Sequence, residues 1–260
     1  MDDSGKFWRW ARLRVDAYKF PSQADDLLTS GVLFLVPEIG ISPCTSRGTV
    51  ESLLQAVSEG KTPLLKALSA SDSLVPLAHV AAVNLEGLSA VLSSVQVRSL
   101  FSRISESPDL RLTQLDLDSS SVSEVPQEMF AVAVSRLERV SWRSGVTAVQ
   151  LDSLFMRLIS DQAGVGGPKL KELEIIGANL MSVSPAVLVG GNQRLEKVRF
   201  WGGRMTAVQI NSLFTMLGGN EQGRLKQIKI SYHVVAGSVS QNLLQQARLN
   251  NDVRIQFVNF

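Results

Sequence analysis

One short pattern recurs along the chain and leaves it few ways to fold. The template apolar-x-x-apolar-x-apolar fits WARLRV at 10–15, VPEIGI at 36–41, LKALSA at 65–70 and LEGLSA at 85–90. It returns as LTQLDL at 112–117, LERVSW at 137–142, LKELEI at 170–175, LEKVRF at 195–200 and LKQIKI at 225–230. A last match at 251–256 is displaced by one residue, with Val253 and Ile255 holding the pattern. Start-to-start intervals run mostly from 25 to 33 residues, with a single short one of 20. Recurrence in phase marks a stacked-repeat architecture and takes precedence over any local reading. Alanine and glycine dilute the first four matches, so the units within 1–84 are the more divergent ones.

Between these runs the apolar spacing changes from two to three and four. Residues 147–158, TAVQLDSLFMRL, and 206–217, TAVQINSLFTML, are near copies 59 residues apart. The first places Ala148, Leu151, Leu154, Phe155 and Leu158 on one helical face. The second does the same with Ala207, Ile210, Leu213, Phe214 and Leu217, and Thr147 and Thr206 precede them as N-caps. A third copy, VQVRSLFSRI at 95–104, carries Val97, Leu100, Phe101 and Ile104. The same spacing predicts helices at 22–32, 49–59, 71–82, 125–135, 184–190 and 239–249. Strands joined by crossovers longer than a hairpin must run parallel. One unit cannot bury both its helix face and its strand face, whereas stacked units bury both in a continuous core. The expectation is a single α/β solenoid over 1–260, of about nine to ten units. Its parallel strands would line the concave face and its helices the convex face.

LTQLDL, LKELEI and LKQIKI at this spacing resemble the leucine-rich repeat family in its longer, ribonuclease-inhibitor-like form. The resemblance covers nearly the whole chain and is strongest from residue 85 onward. It implies a horseshoe. The chain departs from the family pattern where an asparagine usually stands three positions after the last strand leucine: Ser120, Gly145, Ala178 and Gly203 occupy that place. In the family that asparagine satisfies backbone groups in the turn, so the resemblance implies that glycine-tolerant turns or water do so here. At the start, KFWRWARLRV (6–15) resembles the segment by which F-box proteins enter their leucine-rich repeats. That implies an F-box upstream of Met1 and a ubiquitin-ligase adaptor as partner. The alternative is that Phe7, Trp8 and Trp10 cap the open end of the first unit.

The remaining composition excludes more than it identifies. Net charge is +2, from 26 basic and 24 acidic residues, so there is no general attraction to nucleic acid or anionic membranes. The single cysteine, Cys44, permits no intrachain disulfide and fits a reducing, cytoplasmic setting. The N-terminus lacks the apolar run of a signal peptide, and no stretch approaches the length of a membrane span. The two histidines, His79 and His233, fall in distant units. A hydrolase or transferase built on either would need a pocket with a carboxylate nearby. No phosphate loop, HExxH, GxSxG or paired-cysteine spacing occurs, so no catalytic residue, metal or cofactor is expected.

What remains is a surface. Residues between the strand leucines point away from the core, and equivalent positions on successive strands become lateral neighbours about 4.8 Å apart. The units at 36–90 offer mostly small groups there: Gly40, Ser42, Ala67, Ser69, Gly87 and Ser89. Later units offer Gln114, Asp116 and Asp118, then Arg139, Ser141 and Arg143, then Glu172, Glu174 and Ile176. Lys197, Arg199 and Trp201 follow, then Gln227, Lys229 and Ser231. The sign of charge alternates from unit to unit. Such stripes can neutralise one another, or they can form a patterned docking face for a protein. Trp201 beside Lys197 and Arg199 has the composition of an interface hot spot, unless it is buried in a turn at Gly202 and Gly203. The leading expectation is a non-catalytic protein-binding module using this face. Substrate recognition within an F-box-type ubiquitin ligase is the alternative.

Overall fold

A computed structural model describes residues 12–15, 38–41, 55–57, 59, 66–70, 85–107, 110–117, 122–160, 168–219, 223–234 and 240–249. The chain divides into two compact units, Met1–Ser120 and Ser121–Phe260. The second is built of parallel strands alternating with helices; in the first the strands are also parallel, and residues 55–57 and 94–106 are helical among the described residues.

In the first unit, β1 (Arg12–Val15), β2 (Glu38–Ile41), β3 (Ala67–Ala70), β4 (Gly87–Ala90) and β5 (Gln114–Leu117) pair in sequence order, all parallel. Helix α1 (Ser94–Glu106) joins β4 to β5. It buries Val97, Leu100, Phe101 and Ile104, the four residues its spacing predicts. Ser93 caps it, accepting from the Gln96 N–H while the Gln96 side chain accepts from the Ser93 N–H.

In the second unit, β6 (Arg139–Trp142), β7 (Glu172–Ile176), β8 (Lys197–Met205) and β9 (Gln227–Val234) again pair parallel in sequence order. The helices are α2 (Gln127–Ser135), α3 (Ala148–Ser160), α4 (Pro185–Asn192), α5 (Ala207–Gly218) and α6 (Gln241–Leu249). Each packs on the next. All three apolar positions of the template are buried in LERVSW, LKELEI, LEKVRF and LKQIKI. Trp142 is fully buried against Phe130 of α2, with ring centroids 5.1 Å apart. Leu151, Leu154, Phe155 and Leu158 of α3, and Ile210, Leu213, Phe214 and Leu217 of α5, fill the space between helices and sheet. A fully buried side chain of this size contributes about 1.5–3 kcal/mol, which makes this interior the main source of stability. Ala148 is only half-buried, so the α3 face begins later than its spacing predicts.

The helix termini add a device that the repeat pattern alone does not reveal. Gly145 before α3 has a φ of +82°, as a glycine-tolerant turn would, and a buried glutamine satisfies further backbone groups before α3 and α5. Thr147 and Thr206 cap these helices, accepting from the N–H groups of Gln150 and Gln209 at 3.2 Å in both cases. Each glutamine returns the bond through its Oε1, which accepts from the Thr147 N–H at 3.0 Å and the Thr206 N–H at 2.8 Å. The Nε2 of Gln150 then donates to the carbonyls of Val122 (2.8 Å) and Val125 (2.7 Å) in the preceding connection. The Nε2 of Gln209 donates to Leu180 and Val183, both at 2.6 Å. Every polar atom of these two amides is used. That explains how Gln150 and Gln209 can be 2% and 1% exposed in an apolar interior.

The predicted helices at 22–32 and 71–82, and the displaced match at 251–256, lie outside the described residues. Of the predicted helix at 49–59, residues 55–57 and 59 are described; the first three are helical and Glu59 is in a turn.

Candidate functional site

The second unit turns one side of its strands to the interior and the other to solvent. On the outer side two rows run across the strands in register. Arg139, Glu172, Lys197 and Gln227 form the first, and Ser141, Glu174, Arg199 and Lys229 the second. These are the lateral neighbours that counting along the template predicts.

Charge is paired along these rows. Glu172 lies between two cations: its Oε1 is 2.8 Å from Lys197 Nζ and its Oε2 is 3.5 Å from Arg139 Nε. Glu174 Oε2 is 3.1 Å from Arg199 Nη1. All five side chains keep between 30% and 57% of their surface in water, so each pair is worth about 0–1 kcal/mol. Lys229 closes the second row beside Arg199, a cation next to a cation. Among the described residues no carboxylate comes within ion-pair distance of it.

A further row of charge flanks this face, at the residue just before each strand. Glu138, Lys171, Glu196 and Lys226 alternate in sign there, and the backbone bonds Lys171 N–H to Glu138 O, Glu196 N–H to Lys171 O and Lys226 N–H to Glu196 O hold them in line. Lys171 pairs with Glu138 at 3.0 Å and Lys226 with Glu196 at 2.7 Å. The hydrogen bond and the positive charge of Lys226, aided by Lys171 and Lys197, hold the Glu196 carboxyl below its usual range. This row was legible in the second position of the template, which reads Glu, Lys, Glu, Lys. It is missed when only the third, fifth and seventh positions are followed.

Two site residues stand elsewhere than expected. β6 ends at Trp142, so exposed Arg143 lies one residue past the ladder rather than in a row of it. Trp201 is neither a freely exposed indole nor a residue of a turn. It is half-buried within β8, which continues for nine residues through Gly202 and Gly203. Its Nε1 is buried and has no acceptor. An unmet buried donor costs about 1–3 kcal/mol.

Continuation through the glycines has a consequence for the face. Gly202 has a φ of +60°, and the register with β9 slips between Trp201 and Gly203. This bulge adds one residue to the outer side and shifts the alternation beyond it. Gly203 and Met205 therefore turn inward, and Arg204 stands exposed on the side of Trp201. Strict alternation from the template would have placed Gly203 there, so the sequence reading missed Arg204. The paired glycines were the available signal. Gly203 is also obligatory for packing: a Cβ there would come within 2.6 Å of the Ala178 carbonyl oxygen, which accepts from the Arg204 N–H at 3.1 Å.

Asp116 belongs to the first unit, on β5, where Ser89 Oγ donates to its Oδ2 at 3.2 Å. Its Oδ1 is buried without a partner. Around it the outer positions of β3 and β4 are Ala67, Ser69, Gly87 and Ser89. Asp118, Cys44, His79, Phe7, Trp8 and Trp10 lie outside the described residues. His233 falls within β9. Among the described residues there is no cluster of three or more His, Cys, Asp or Glu that could hold a metal. No described helix is long and apolar enough to cross a membrane. Compared with known proteins, the sequence matches no family model and no curated protein.

Proposed function

We propose that the chain is a non-catalytic, leucine-rich-repeat-type module that binds a protein partner through the outer face of β6–β9, in the reducing interior of the cell. The observation that carries this reading is internal to the molecule. Strands β3 and β4 stack in parallel register with Ala67 opposite Gly87 and Ser69 opposite Ser89, and no charge occupies those positions. Within these two strands the outer positions therefore stack without ion pairs, the one pair here being Lys66 with Glu86 at 3.3 Å, just before each strand. The two registered rows on the outer face of β6–β9 are surplus to what stacking of β3 and β4 needs, and long side chains held there cost rotamer entropy. A patterned face of fixed charges, rigidly backed by a packed interior, suits selection of one partner over others.

Photo-crosslinking in cells tests this. A crosslinkable residue is placed at Ser141 or Gln227, on the face, and as a control at Val208, which is 64% exposed in the first turn of α5. The expected result is one protein captured from the face positions and not from Val208. Purified, that protein binds the chain, and Arg139→Glu with Arg143→Glu weakens binding while leaving the Tm nearly unchanged. Capture from Val208 alone, or binding indifferent to the charge reversals, overturns the reading.

A further inference from the structure

Resting on that docking reading, we infer that the β8–β9 end of the face receives an acidic stretch of the partner protein. Its carboxylates seat on Lys229 and Arg204, and Trp201 forms the apolar wall between Arg199 and Arg204 along β8.

Charge balance comes first. The two registered rows hold four cations, Arg139, Lys197, Arg199 and Lys229, against two carboxylates, Glu172 and Glu174. Both carboxylates, on β7, are engaged by cations of β6 and β8. The excess accumulates at one end, where Lys229 lies beside Arg199, an arrangement that like charges on neighbouring strands disfavour. Backbone geometry adds to it: the bulge at Gly202 turns Arg204 outward on the same side. An anionic ligand relieves this crowding.

Trp201 supplies the second observation. Its buried indole N–H has no acceptor, although the ring keeps part of its surface in solvent. A modest rotation of the ring as a partner seats gives that donor a carbonyl or carboxylate oxygen, and the ring then covers the aliphatic part of an acidic side chain. A cationic rim around an aromatic wall with an unmet donor favours a peptide carboxylate. A nucleic acid fits less well. Its evenly spaced phosphates would run on to Glu172 and Glu174, and the chain as a whole carries only +2.

The test uses the full chain and three probes of equal length: a glutamate-rich peptide, a lysine-rich peptide and a single-stranded oligouridylate. Binding is followed by fluorescence anisotropy at low and physiological salt, and the indole N–H region of the NMR spectrum is recorded, with Trp201→Phe assigning the resonance. The glutamate-rich peptide is expected to bind, to weaken as salt rises, and to move the Trp201 indole resonance. Lys229→Glu and Arg204→Glu are each expected to reduce its affinity about tenfold or more, with the Tm preserved. Tightest binding by the oligouridylate, equal binding by the lysine-rich peptide, or indifference to both reversals overturns the inference. If the glutamate-rich peptide fails while Ser141 or Gln227 still captures a partner, the acidic chemistry is wrong and the docking reading stands. If both fail, both fall.

Discussion

Strands β3–β4 and strands β6–β9 have the same parallel pairing and each buries the fourth position of its template, Leu68 and Leu88 in the first pair, yet their outer faces differ. The first presents alanine, serine and glycine at Ala67, Ser69, Gly87 and Ser89; the second presents rows of lysine, arginine and glutamate. Identical backbone register on chemically opposite faces shows where each requirement lies. The inward side chains and the caps hold a unit together, and the outward ones are free to vary.

Substitutions that attack the interior and the face separately probe this contrast, and the interior should dominate. Gln209→Leu keeps the apolar volume but leaves the Val183 carbonyl and the Thr206 N–H unmet and weakens the satisfaction of Leu180. A loss of about 2–4 kcal/mol is expected by urea unfolding. Gly203→Ala forces a methyl group against the Ala178 carbonyl and should cost about 2 kcal/mol or more. Its neighbour Gly202→Ala meets open space but must hold a positive φ, for about 1 kcal/mol. On the face, Glu172→Gln removes the carboxylate shared by Arg139 and Lys197, and a change of at most about 1 kcal/mol is expected. A face substitution as costly as Gln209→Leu would erase the contrast and make the charge rows part of the scaffold.

The smallest effect concerns pH. Because the folded-state carboxyl of Glu196 is held below its unfolded value of 4.5, chiefly by its bond to Lys226, its contribution is present above that value. It is lost as pH falls through the lower folded value. Melting curves from neutral pH into the acid range should therefore show a small decline below pH 4.5 that Glu196→Gln abolishes. An undiminished decline in the variant assigns the acid sensitivity to other carboxylates.

Much of the second unit was legible because burial follows local periodicity. Leu151, Leu154, Phe155 and Leu158 are spaced for one helix face and all are buried, and Leu173, Val198 and Ile228 align because each opens the same step of its template. Glutamine at 150 and 209 carries no local mark of burial. Its partners, Val122 with Val125 and Leu180 with Val183, lie 25 to 29 residues earlier, beyond the reach of any local window. Trp201 was ambiguous for a related reason: whether an indole is covered depends on the neighbouring strand and on the path of the chain after it.

The sequence by itself determined that strands run parallel, which leucines face inward, and which charges become lateral neighbours. Each of these follows from a period of two or 3.6 residues repeated in phase. Only the tertiary structure decided that Glu172 is shared by two cations, that no carboxylate among the described residues reaches Lys229, and that Arg204 rather than Gly203 reaches the outer face. Those outcomes turn on distances of a few ångströms and on one positive φ at Gly202. Such quantities are set by the packed neighbours of a residue and leave no periodic mark in the chain.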